Sequence, residues 1–324
     1  MNTPSSELDY NGDFSRSDKN MLLPPPKTPK TWFTWLGLAV LFLGAQIPTV
    51  VAHALGRGLG WIAYHLAPRR RRIAQRNLEL CFPELTPKQR ADCLRASYRS
   101  MGMGAFEFIR AWWGPLGRLP QQTHFEGVEH IVEAMQSGRG VILLSGHFLT
   151  LEICGRLLCE KVPVSGMYRR HRNPVMEWAV KRGRMRYAAA MFAREELRAC
   201  VKHLKKGGIL WYAPDQDMRG KEAVFAPFFG VSAATITATH QLAKLSGAAV
   251  MGFFHRRRAG QAGYEIRITE PLIDFPSGDE QKDAERVNQL IEAMVREAPD
   301  EYLWIHRRFK TRPDGEKSVY DETV

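Results

Sequence analysis

Residues Gly140 to Glu152 read Gly-Val-Ile-Leu-Leu-Ser-Gly-His-Phe-Leu-Thr-Leu-Glu, and this stretch decides the fold. Val141 to Leu144 form a short unbroken apolar run, the pattern of a strand buried on both faces. A helix is expected next, over 149–158, and Gly146 makes the sharp strand-to-helix transition cheap in backbone terms. The alternation repeats further along the chain. The pattern predicts a helix over 193–206 stopped by Gly207-Gly208, then a buried strand over 209–213. It continues with a helix over 235–246, a strand over 248–254 and an alternating edge strand over 264–269. Helix alternating with buried strand implies an α/β layered sheet. Catalytic groups in such sheets sit on loops after strand ends.

His147 lies in such a loop, five residues before Glu152. Within one helix that spacing turns the two side chains ~140° apart, so they would not meet. They meet if His147 lies in the loop and Glu152 one turn inside the helix. The carboxylate then accepts the Nδ1 proton of His147, fixes the tautomer and leaves Nε2 as a base for an alcohol. No serine or cysteine nucleophile is needed if that alcohol is itself the nucleophile. A metal pair is disfavoured, because the helical zinc motif needs two His at i and i+4. On the spacing alone, a structural histidine remains an open reading.

Before this core, Thr86-Pro87 with Gln89 forms a capping-box helix start. Apolar residues from Leu94 to Trp113 then predict one or two amphipathic helices. Still earlier, Trp32 to Gly56 holds 25 positions without a charged residue. About 20 such residues cross a ~30 Å hydrocarbon core. The expectation is an N-terminal membrane helix, spanning or lying along the surface, although Pro48 would kink it. Arg57, Arg69, Arg70, Arg71, Arg72 and Arg76 follow, which places the bulk of the chain on the cytoplasmic side. Residues 1–30 are polar and proline-rich and are expected to be a disordered tail. The domain reading is therefore 1–30 tail, 31–67 anchor and 68–324 catalytic domain.

The net charge of +12 suits nucleic acid, anionic headgroups or an acidic protein, and no nucleic-acid module is present. Five cysteines at spacings that fit neither zinc nor a redox pair point to reduced thiols.

Several separate blocks, in order, carry a resemblance. They are Arg76-Asn77-Leu78-Glu79-Leu80-Cys81-Phe82-Pro83-Glu84, Gly146 to Glu152, Tyr168-Arg169, Trp211 to Asp217, Phe225-Ala226-Pro227-Phe228-Phe229 and His306 to Pro313. Together, over roughly residues 32–320, the chain resembles the late lipid A biosynthesis acyltransferases, within the lysophospholipid and glycerol-phosphate acyltransferase superfamily with its His-x4-Asp/Glu motif. The resemblance implies a glycerol-phosphate acyltransferase-like layered sheet with flanking helices, attached to a bacterial inner membrane on its cytoplasmic side. It implies His147 as general base and Glu152 as its partner. Arg169 would bind acceptor phosphate, with Arg170 and Arg194 as further phosphate contacts. Asp215 would help organise the site, and Pro227 with Phe228 would shape the acyl or acceptor groove. Arg219-Gly220-Lys221 departs from the family pattern. The implied donor is an acyl carrier protein thioester and the acceptor a Kdo-bearing tetraacylated lipid A precursor. No metal or redox cofactor is implied, since the thiol is already a good leaving group. Membrane lipids are expected partners and nucleic acid is not. Two alternatives stay open: another lysophospholipid or glycolipid acceptor, and a non-catalytic basic protein tethered to a membrane.

Overall fold

The computed structural model describes residues 27–218 and 223–320. The expected tail up to residue 26 and the Arg219-Gly220-Lys221 departure lie outside the described residues. The apolar N-terminal stretch forms two helices, α1 (Trp32–Gln46) and α2 (Thr49–Leu66). This corrects the expectation of one spanning helix: among the described residues no helix is long and apolar enough to cross a membrane. Pro48 is the physical cause. It cannot donate a helix hydrogen bond, and it drives the preceding Ile47 to an extended ψ of 134°. At ~1.5 Å per residue, α1 is roughly 22 Å long, short of a ~30 Å core.

The chain continues through α3 (Pro68–Cys81), α4 (Pro87–Trp113), α5 (Leu119–Gln122), β1 (His124–Glu126), α6 (Val128–Gln136) and β2 (Val141–Leu144). Next come α7 (Leu151–Cys159), β3 (Val164–Tyr168), α8 (Pro174–Arg184), β4 (Met191–Ala193), α9 (Leu197–Lys205) and β5 (Ile209–Tyr212). A hairpin of β6 (Ala223–Phe228) and β7 (Val231–Ile236) precedes α10 (Ala238–Ser246), β8 (Ala249–Arg257), β9 (Tyr264–Ile268) and α11 (Glu280–Glu297).

The Thr86 cap forms as its residues dictate. Thr86 Oγ1 accepts from the Gln89 amide at 3.3 Å, and Gln89 Oε1 accepts from the Thr86 amide at 2.8 Å. The helix it starts is one piece of 27 residues. It is the platform for α2, and the contact is backbone against backbone. A Cβ on Gly60 would lie 2.1 Å from the Tyr98 carbonyl oxygen, and one on Gly102 1.9 Å from that of Gly56. Only glycine permits this approach.

Seven strands form one sheet in the order β1-β9-β8-β2-β5-β3-β4. β2 lies at its centre, parallel to both β5 and β8, while β9 runs antiparallel to β8. Because strand side chains alternate, the sheet has two cores. One face buries Ile142, Leu144, Leu210, Tyr212 and Val250 under α10, α11 and the C-terminal segment. The other buries Val141, Leu143, Ile209 and Met251 under Ile153 and Leu157 of α7 and Trp112 of α4.

Candidate active site

β2 ends at Leu144, and the loop that follows is held from three sides. Behind it, His255 is fully buried and meets Ser145 Oγ at 3.1 Å with one ring nitrogen and Thr150 Oγ1 at 2.8 Å with the other. Burial, with Arg257 adding to it, pushes the His255 imidazole down to about 3, so it stays neutral. In front, the chain at 301–303 pairs with the loop: the Leu149 amide donates to the Glu301 carbonyl at 2.8 Å, and the Leu303 amide to the His147 carbonyl at 3.0 Å. Gly146 fits because a Cβ there would lie 3.0 Å from the Tyr302 ring.

The third support comes from the end of β5. Asp215 Oδ1 lies 2.5 Å from His147 Nδ1, and Asp215 Oδ2 accepts from the His147 amide at 2.8 Å and from the Tyr302 hydroxyl at 2.7 Å. The Asp215 side chain is 1% exposed and that of His147 31%. Burial alone would raise the Asp215 carboxyl, but the adjacent imidazole and three hydrogen bonds hold it well below the usual carboxylate range. For His147, burial pulls the pKa down, the Asp215 charge and hydrogen bond pull it up, and the net direction is up. Among the described residues Nε2 of His147 has no hydrogen-bond partner, and it is the ring atom left for an incoming group. His147, Asp215, Tyr302, Phe228, His306 and Arg308 line a small chamber.

Glu152 is not part of this arrangement, contrary to the expected His147–Glu152 pair. The helix begins at Leu151, so Glu152 sits in its first turn, and its carboxylate faces α4 and α8. Arg184 grips it through two bonds of 2.7 Å, Trp112 Nε1 donates at 2.6 Å and the Tyr187 hydroxyl at 2.9 Å. Burial would raise this carboxyl, but Arg184 and these donors bring it below its ordinary value.

The other candidates divide. Phe228 is buried on the chamber wall, whereas Pro227 is exposed on β6 and lines no part of the chamber. Side chains alternate along a strand, so neighbours cannot both face inward. Arg169 and Arg170 are exposed just past the end of β3, and Arg194 just past β4, its neighbour in the sheet. Arg170 pairs with Glu196 at 3.1 Å and Arg194 with Glu195 at 2.9 Å. They share the carboxyl-terminal edge of the sheet with His147 but do not line its chamber.

Tyr302, His255, Arg184, Trp112 and Tyr187 were not singled out from sequence, and no local spacing marks them. Asn77 belongs to the Arg76 to Glu84 stretch that carries the resemblance. Its amide nitrogen donates to the carbonyls of Trp304 and His306, both at 2.7 Å, and so fixes the segment that carries Tyr302.

A family model described as bacterial lipid A biosynthesis acyltransferase matches residues 24–311. The chain is 41% identical to the lipid A biosynthesis lauroyltransferase of Escherichia coli K12 over 90% of its length and 96% of the relative's. It is 43% identical to the palmitoleoyltransferase of the same organism, covering 90% and 95%. Against that organism's myristoyltransferase identity is 27%, covering 99% and 97%. A buried acid, an imidazole with an open nitrogen and a sheet edge lined with arginines thus accompany a match along nearly the whole chain, which belongs to the bacterial lipid A biosynthesis acyltransferase family.

Proposed function

We propose that this chain transfers a fatty acyl group, lauroyl or of similar length, from acyl carrier protein to a hydroxyl of a Kdo-bearing tetraacylated lipid A precursor. The carrying observation is the His147–Asp215 pair at the chamber, with Nε2 of the imidazole open. Asp215 holds the proton on Nδ1, so the lone pair of Nε2 takes the proton of the acceptor hydroxyl. That oxygen attacks the thioester carbonyl carbon and forms the new C–O bond. Collapse of the tetrahedral intermediate breaks the C–S bond, and the leaving sulfur takes the proton back from Nε2. The ester and the carrier thiol leave an unchanged imidazole. Arg169, Arg170 and Arg194 at the same edge suit acceptor phosphates, and the +12 charge suits an acidic carrier protein.

The N-terminal helix pair is proposed as the membrane contact, lying in the interface. Trp32, Phe33, Leu36, Val40, Leu43, Val50 and Trp61 are all exposed on these two helices, which suits an apolar environment. Arg57, Arg69 and Arg72 beside it suit anionic headgroups.

The test is transfer by purified protein in detergent from lauroyl carrier protein to the Kdo-bearing precursor, read as one added acyl mass. Equal rates on a simple lysophospholipid would break the acceptor assignment. Full function in His147→Ala, lost only when Arg69–Arg72 are charge-reversed, would favour the non-catalytic alternative.

A further inference from the structure

A second pocket, half open to solvent, lies on the opposite face of the sheet from the His147 chamber and shares no lining residue with it. It runs beside α7 from Leu151 and Glu152 in the first turn, past Gly155, to Leu158 and Cys159 in the last. At ~1.5 Å per residue this is a slot roughly 12 Å deep. Its upper end lies at the sheet edge that carries His147, and Cys159, whose Sγ approaches the Val164 carbonyl at 3.9 Å, lines its lower end. Leu158, Val164, Met191, Trp211 and Phe253 make the walls apolar. The charged groups that reach it, Glu152 and Arg184, are neutralised on each other at 2.7 Å.

Gly155 shows that the space is kept open. It sits in the middle of a nine-residue helix, where glycine costs about 1 kcal/mol relative to alanine. No close packing requires it, for a Cβ built there meets nothing within 4 Å. Gly166 also lines the cavity, and a Cβ built there would lie 3.1 Å from the thioether of Met191, a side chain that adapts to what it packs against.

We propose that this slot takes the hydrocarbon chain of the acyl donor, and that Gly155 and Met191 set how long a chain fits. The inference rests on the acyl-transfer reading. It also gives Glu152 a task away from the base: by tying Trp112, Arg184 and Tyr187 together, it is a positioning residue for the slot wall. The chain enters over the sheet edge beside Leu151 and lies along α7 while its carbonyl stays at His147.

The experiment offers the purified full chain a mixture of acyl carrier proteins with graded acyl lengths and one acceptor, and weighs the products. Gly155→Leu fills the slot half-way down, and the ratio of long to short chains transferred falls by about tenfold or more. Met191→Ala moves the ratio the other way, and it carries the test alone if Gly155→Leu does not fold. An unchanged length profile in folded variants overturns the proposal. A changed acceptor KM with an unchanged donor profile overturns it too, assigning the slot to an acceptor chain. If the wild-type protein transfers nothing, the acyl-transfer reading fails, and His147→Ala protein is then irradiated with a photoreactive fatty acid. Labelling of α7 or Met191 supports the slot, and labelling confined to Phe228 and Tyr302 overturns it.

Discussion

Asp215 and Glu152 are both buried carboxylates held ionised below their ordinary range, and both accept several hydrogen bonds, yet they stand on opposite faces of one sheet. Their partners differ in kind. Asp215 faces an imidazole that can gain and lose a proton and still touches solvent. Glu152 faces a guanidinium that keeps its charge at every working pH. The first pair can pass through a catalytic cycle, and the second can only hold three elements in register. Ionised burial therefore marks both places, and the titratable partner tells them apart.

The harshest test of that contrast is His147→Ala, expected to lower kcat by about 10²–10⁴-fold while Arg184→Ala protein, if folded, keeps the same pH profile. Asp215→Asn comes next. A protonated His147 cannot act as base, so activity rises with pH through its raised pKa, and the acid limb of wild-type kcat lies above the ordinary ~6.5. Asp215→Asn removes the charge that raises it, and the limb moves to lower pH. Glu152→Gln leaves the limb where it is and removes about 3–5 kcal/mol of stability in denaturant melts, because Arg184 is left buried and unpaired. A limb that moved equally in both variants would erase the distinction.

A gentler version concerns Glu107 on α4. It is bound by Arg257 at 2.7 Å and His53 at 2.8 Å. Burial raises its carboxyl, but Arg257 and His53 override this and bring it down to about 2. Such a depressed group contributes stability above the unfolded carboxylate range near ~4.3 and loses it as pH falls toward about 2, an effect on the order of 3 kcal/mol. Glu107→Gln should flatten that acid limb of stability. Smallest of all, Thr86→Ala removes a helix cap far from either acid and should cost ~1 kcal/mol with no change in the pH profile.

Much of the fold was legible because it rests on local pattern. Val141–Leu144, Ile209–Tyr212 and the Thr86 cap follow from apolar runs and from one side chain reaching three residues along. The place of His147 in a loop after a buried strand was legible too. Asp215 was expected to help organise the site, but its pairing with His147 was not legible. Asp215 stands 68 residues away, and only the neighbouring of β2 and β5 brings it close, whereas Glu152 was near in sequence and turned away by the helix that begins one residue before it. Pro227 and Phe228 show the same limit at smaller scale, because which of two strand neighbours faces inward depends on register. The split of the N-terminal apolar run at Pro48 was readable in the proline itself, but the run of uncharged residues weighed more.

The clamp on the His147 loop also sets an order of assembly. Asn77 binds a carbonyl 227 residues downstream, and Leu149 pairs with Glu301. A chain growing from its N-terminus therefore exposes the apolar α1 and α2 first and completes the His147 loop only after residue 303 has emerged. On the proposed membrane contact, this apolar pair is available to a lipid surface before the chain has a complete His147 loop.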